Sequence, residues 1–247
     1  MHSISKAEKK AVNALAIKKY RQSEEQFVVE GVKPVEELLI HAPQKVEKVY
    51  LTPQANFDRA LVPAHVALLE VSEKDLKGIS NLKSPQGVLA VAQFLEISPK
   101  TKGLTLVLDN IQDPGNLGTI IRSAEWFGVK EIICSKETVD VYNPKVVQAA
   151  MGSIFRVAIN YVDLKAYLET SSLPIYGALL EGENVYTADL NAEGILIMGN
   201  EGKGITPEII TCITHPVTIP KMGEGESLNV SIASAVLLSE FARRTSL

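Results

Sequence analysis

The stretch LTLVLDNIQDPGNLGTIIRSAEWFGVKEIICS, residues 104–135, decides the reading of the fold. Its ends, LTLVLDNI (104–111) and EIICS (131–135), are short, nearly continuous apolar runs rich in branched side chains, the pattern of strands buried on both faces. Between them, Leu117, Ile120, Ile121 and Ala124 recur at helical spacing. That helix, near 117–127, stops at Gly128, a residue suited to the position just past a helix end. Asp113, Pro114, Gly115 and Asn116 make the turn that leads into it. Strand, turn, helix and strand in this order predict a parallel β-α-β unit.

The same alternation continues downstream. FRVAINY (155–161), IYGALL (175–180), GILIMGN (194–200) and PVTIPKM (216–222) read as strands, separated by helical stretches near 143–152, 163–170, 206–212 and 229–243. Apolar strands joined by helices predict a parallel sheet covered on both faces, with ligands at the carboxyl ends of its strands. Upstream, QFVVEG (26–31), VEKVYLT (46–52), HVALLEVS (65–72) and GVLAVAQF (87–94), with a helix over KPVEELLI (33–40), predict a smaller α/β unit. EISPKTKG (96–103) is polar, holds Pro and Gly and has no periodicity. The expected organisation is an N-terminal domain over 1–97, a linker over 98–103 and a second domain over 104–247.

At 247 residues, 46% hydrophobic and 22% charged, the chain has ordinary globular composition, which excludes collagenous, low-complexity and wholly disordered classes. Cys134 and Cys212 are far apart and belong to no CxxC, so neither a zinc site nor a disulfide framework is expected. There is no run of 18 apolar residues and the first twenty residues lack a signal-peptide apolar core, so a cytoplasmic protein is expected, with no membrane partner. The net charge of −4 hides an asymmetry. Residues 1–22 carry Lys6, Lys9, Lys10, Lys18, Lys19 and Arg21 against Glu8 alone. A basic helix over 6–21 is therefore expected, either meeting a polyanion or forming a solvated face.

Three loops have unusual content. In the first, Arg122 is a fixed charge within an apolar helical run, so it pairs with a carboxylate such as Asp109 or Asp113, or its planar guanidinium anchors a phosphate. In the second, MGNEGKGITPE (198–208), three glycines within six residues suit a loop that hugs a ligand, and Glu201 stands at a strand end. The phosphate-loop spacing GxxxxGK[ST] is absent, which excludes a nucleotide triphosphatase of that type. In the third, IPKMGEGESLNVSIASAVLLSE (219–240), Ser227 and Asn229 offer donors and acceptors ahead of a helix of small residues. Asn229 is also a natural helix N-cap. The third glycine of GxGxxG is missing, which weakens a dinucleotide-dehydrogenase reading.

Taken together, DPGNLGTIIRSAEWFG, LIMGNEGKGI and IPKMGEGESLNVSIASAVLLSE resemble the three ordered motifs of the SpoU/TrmH family of RNA ribose 2′-O-methyltransferases, part of the SPOUT superfamily. FVVEGVKPVEELL is similar to the small substrate-binding domain that precedes the catalytic one in many members. The resemblance implies a C-terminal trefoil knot that binds S-adenosylmethionine, a homodimer built through that region, and ribosomal or transfer RNA as substrate. It places Gly199, Ile219 and Leu228 at cofactor positions and Asn116, Arg122, Glu201, Ser227 and Asn229 at the polar catalytic positions, with no metal. All of these positions match the family pattern. A guanidinium with a pKa above about 12 is rarely deprotonated, so the expected role of Arg122 is to position phosphate and stabilise charge. A noncatalytic RNA-binding or ribosome-assembly protein on the same fold is the alternative.

Overall fold

The computed structural model describes residues 3–98 and 102–245. Residues 99–101 of the expected linker, and the last two residues at either chain end, lie outside the described residues. The chain divides into two units, one drawn from Met1–Glu96 and Asp140–Phe155, the other from Ile97–Val139 and Arg156–Leu247.

The first unit contains α1 (Lys6–Ala14), α2 (Lys18–Glu24), β1 (Gln26–Glu30), α3 (Val32–His41), β2 (Val46–Leu51), β3 (Ala67–Glu70), α4 (Glu73–Lys77) and β4 (Val88–Gln93). Its sheet has the order β1-β4-β2-β3, with β4 antiparallel to both neighbours and β2 parallel to β3. Phe27, Val28 and Val29 are all buried, as a strand covered on both faces requires. Val28, Tyr50, Leu89 and Val91 pack with Val12 and Leu15 from the first helix and with Leu76 and Ile79 from around α4.

The basic segment expected as one helix over 6–21 is two. Leu15 is buried in the core at the end of α1, and the buried Arg21 donates from Nη1 to its carbonyl (2.8 Å) while Nε and Nη2 hold Asp140 Oδ2 (3.0 and 2.6 Å). Lys9 is likewise held by Asp75 (2.7 Å). Arg21 and Lys9 thus serve the fold, while Lys6, Lys10, Lys18 and Lys19 point to solvent.

The second unit contains β5 (Leu104–Leu108), α5 (Pro114–Trp126) and β6 (Glu131–Ser135). Next in the chain, α6 (Pro144–Ala150) lies within Asp140–Phe155 and packs on β1 of the first unit. The second unit resumes with β7 (Ala158–Val162), α7 (Leu164–Glu169), β8 (Ile175–Asn184), β9 (Gly194–Met198), α8 (Pro207–Ile210), β10 (His215–Thr218) and α9 (Val230–Thr245). The six strands are parallel, in the order β10-β8-β9-β5-β6-β7. Val107, Ile133, Ile195 and Ile197 face α7 and α8. On the other face Tyr176, level with Leu196, meets Phe241 of α9 edge-on with ring centroids 5.0 Å apart, and α9 packs along α5.

Two strands depart furthest from the expected bounds. β8 runs on to Asn184, and its exposed end pairs with Val217 and Thr218 of β10 after a bulge. β10 ends at Thr218, so the residues from Ile219 to Asn229 form a loop instead of continuing the strand.

α9 is pinned at its carboxyl end by Glu240, which accepts from Arg243 (2.9 and 2.6 Å) and Arg244 (2.9 Å), while Arg244 also donates to the Tyr186 carbonyl. The hydrogen bonds from Arg243 and Arg244 pull the Glu240 pKa from its ordinary 4.5 down to about 2. A depressed carboxylate pKa gives stability that is present above the ordinary value and lost as pH falls towards the folded one. Glu240→Gln should therefore be destabilising at pH 7, and the gap to the wild type should close between 4.5 and about 2. Urea unfolding of both proteins across that range measures it.

Candidate active site

The site forms where the sheet changes direction. From β5 the chain moves to β6 and β7 on one side, whereas β9, the other neighbour of β5, arrives from the opposite side. Loops leaving the carboxyl ends of two such strands diverge to opposite faces and leave a crevice. Here they are stitched together at its base. The buried Asp109 accepts from Thr206 N (2.7 Å), and Asn200 Nδ2 donates to the Asn110 carbonyl (2.8 Å). Asn200 and Gly204 exchange backbone hydrogen bonds (3.0 and 2.8 Å), and Asn200 Oδ1 accepts from Gly202 N and Lys203 N, so the 199–205 loop curls back on itself. Gly204 closes the curl at φ +69, in the left-handed region. At Gly199 a Cβ would stand 2.3 Å from the Gly204 carbonyl carbon and from Ile205 N, so only glycine fits.

Three of the polar residues singled out, Asn116, Glu201 and Asn229, one from each motif, are joined by hydrogen bonds above this base. Asp113 caps α5, its Oδ1 accepting from Asn116 N (2.8 Å), with Pro114 in the first turn. The Asn116 side chain then works at both ends, Nδ2 donating to Glu201 Oε1 and Oδ1 accepting from Asn229 Nδ2 (3.1 Å). Asn229 in turn accepts on Oδ1 from Ser231 N (2.9 Å) and Ser231 Oγ (2.6 Å) at the start of α9. Asn229 is thus an N-cap and also the link that ties the third loop to the first.

Ser227 is exposed, and its hydroxyl has no partner among the described residues. Leu228 is 52% exposed beside it, and Ile219 is half-buried at the start of the same loop. From Lys221 to Leu228 no backbone N–H or C=O takes part in a hydrogen bond within the described residues. Those free main-chain groups suit a ligand with several donors and acceptors of its own, as S-adenosylmethionine has.

Arg122 corrects one expectation. It is exposed, and no carboxylate among the described residues pairs with it, because Asp109 is engaged by Thr206 and Asp113 by the α5 cap. The apolar neighbours Ile120, Ile121 and Ala124 are buried, whereas Arg122 shares the solvent face of α5 with Thr119 and Trp126. It lies six residues beyond Asn116, about 9 Å along the helix axis, and makes no hydrogen bond or ion pair with Asn116, Glu201, Ser227 or Asn229.

Asn110, Asn200 and Thr206 were not singled out as site residues. Asn110 takes a left-handed φ of +59, and its Oδ1 is buried without a partner, as is Thr206 Oγ1. An Asp-Asn pair closing an apolar run was the available signal for Asn110. Nothing in spacing alone reveals that Asn200 would reach a carbonyl 90 positions away.

The SpoU rRNA Methylase family matches residues 103–239, more than half of the chain, and the MRM3-like substrate binding domain matches residues 7–90. The chain belongs to the SpoU rRNA methylase family. A family relative from Bacillus subtilis, named 23S rRNA (guanosine(2553)-2′-O)-methyltransferase RlmP, is 30% identical over 228 residues, 91% of either chain. A structure of a TrmH-family protein from Porphyromonas gingivalis is 39% identical with a TM-score of 0.87, covering 98% of this chain and 100% of the other. The S-adenosylmethionine-bound rRNA methyltransferase from Sinorhizobium meliloti is 31% identical with a TM-score of 0.86, covering 100% and 98%.

For this SpoU-family site, Gly199→Ala is a direct check on the curled loop. The backbone collision should lower stability by about 1–3 kcal/mol and weaken S-adenosylmethionine binding by about tenfold, or 1.4 kcal/mol. Thermal unfolding and calorimetric titration read the two effects separately.

Proposed function

We propose that this S-adenosylmethionine-dependent RNA 2′-O-methyltransferase acts on a ribose of large-subunit ribosomal RNA, with Asn116, Arg122, Glu201, Ser227 and Asn229 around the sugar and Gly199, Ile219 and Leu228 at the donor. The names of the 23S rRNA 2′-O-methyltransferase relatives support the choice of RNA. The observation that carries the residue roles is the contrast between the tied chain Glu201–Asn116–Asn229 and the unpaired Arg122.

When bound, S-adenosylmethionine supplies an electrophilic methyl group. The knot expected at the carboxyl end of the second domain would hold it through the free main-chain groups of the 221–228 loop. Asn116 has both ends of its amide committed, so it fixes the spacing of the loops, and Glu201 and Asn229 hold it there. Ser227, with a free hydroxyl, hydrogen-bonds the ribose. Arg122 grips the neighbouring phosphate through its planar fork and stabilises negative charge as the 2′ hydroxyl loses its proton to a phosphate oxygen or water. Alignment of this kind supplies roughly 7–11 kcal/mol of a barrier.

A homodimer through the carboxyl-terminal region agrees with apolar side chains left in solvent there, Leu180 at 79%, Met222 at 96% and Ile232 at 53%. The exposed Lys6, Lys10, Lys18 and Lys19 are suited to RNA phosphates. The cell compartment follows from the substrate, ribosomal RNA. No helix among the described residues is long and apolar enough to cross a membrane.

Arg122→Lys keeps the charge and loses the fork. Its kcat should fall by about 10²-fold, with the S-adenosylmethionine dissociation constant nearly unchanged. Unaltered turnover would remove Arg122 from the chemistry. Met222→Asp should shift the sedimentation mass from twice 26.8 kDa to the single-chain value, and a wild type that sediments as a monomer would sink the dimer.

A further inference from the structure

We infer that the N-terminal unit carries a pocket for one unpaired nucleobase of the substrate RNA, an assignment that rests on RNA being the substrate. The pocket has a volume of about 350 Å³ and lies past the carboxyl end of β2, between the 52–55 loop, α4 and the 85–87 loop. That volume is at the lower end of the roughly 300–1,000 Å³ of small-ligand sites. All of its lining falls within the residues matched by the substrate-binding domain family.

Its floor is polar and unspent. Thr52 is 4% exposed, yet its hydroxyl has no hydrogen-bond partner among the described residues. The hydroxyl itself is not sealed in, so it opens to the pocket with its donor and acceptor capacity free for a ligand. Gly87, at φ +83, keeps that hydroxyl open, because a Cβ there would stand 2.8 Å from Thr52 Oγ1 and from Ala55 Cβ. Gln86 lies over Gly31, where a Cβ would stand 2.8 Å from Gln86 Oε1, so the β1–α3 turn supports that wall. The Gln54 and Gln86 amides make no side-chain hydrogen bond among the described residues.

The chemistry of this lining selects the ligand. Two amides and a hydroxyl present donors and acceptors together, which match the edge of a base. Ala55, Leu76 and Pro85 offer apolar surface to its flat face. A lone Lys77 opposed by Glu73 is a poor anion site, so the pocket does not serve a free phosphate, although Lys77 at the lip can meet the phosphate of the same nucleotide. Sequence-reading of RNA falls mostly on splayed, unpaired bases. The pocket therefore reads the RNA, and the carboxyl-terminal site modifies it.

The test uses the full-length protein and short random-sequence RNA containing 4-thiouridine, irradiated and mapped by mass spectrometry. Crosslinks are expected on peptides spanning 52–55 or 85–87, reduced about tenfold in Thr52→Val and in Gln86→Ala but kept in Thr52→Ser. With ribosomal RNA as substrate, the same two variants should raise KM by a like factor and leave kcat and S-adenosylmethionine affinity alone. If Thr52→Val fails to fold, the exposed Gln86 still decides. Crosslinks confined to other segments, or undiminished in the variants, overturn the pocket whatever the methylation assay shows. Crosslinks at the pocket in a wild type that methylates no ribosomal RNA uphold it and overturn the proposed substrate instead.

Discussion

Leu104–Leu108 and Gly194–Met198 lie side by side in parallel register, and their loops leave the sheet towards opposite faces. Everything in the site depends on that pairing. It brings Asp109 within reach of Thr206 and Asn110 within reach of Asn200, although about 90 residues separate them in the chain. These buried and half-buried hydrogen bonds resist rearrangement because each broken one would leave a polar group dry. On that base Asn116 stands between Glu201 and Asn229, and the third loop is drawn in by a single amide.

Local pattern carried most of the architecture. Each expected strand is present, and the helix expected near 117–127 ends at Gly128, which takes φ +84 as a residue past a helix end requires. Where tertiary pairing decides the outcome, local pattern fell short. The reach of β8 to Asn184 depends on its partner β10, and the break after α1 depends on Leu15 entering a core and on a guanidinium from the next helix capping its carbonyl. Neither is written in periodicity.

The site was legible in identity and not in geometry. Glycine spacing marked the 199–205 loop, but the reason Gly199 admits no side chain is a backbone approach from five residues on. In the sequence Arg122 stands as a charge among apolar residues, a setting that implies burial. Helical phase places it on the solvent face, so its charge carries no desolvation cost and stays available to a ligand. The family resemblance named the residues; only the folded chain separates those already committed to one another from those with capacity left over.

The excursion of Asp140–Phe155 has a consequence for how such proteins diversify. The chain passes from one unit to the other three times, after Glu96, after Val139 and after Phe155. Recombination at the 98–103 region alone would graft the amino-terminal part onto a new neighbour without α6, exposing the flank of β1 and leaving the buried Arg21 without its carboxylate. Swapping of the amino-terminal half among relatives is thus constrained to carry this insert along, or to rebuild the surface it covers.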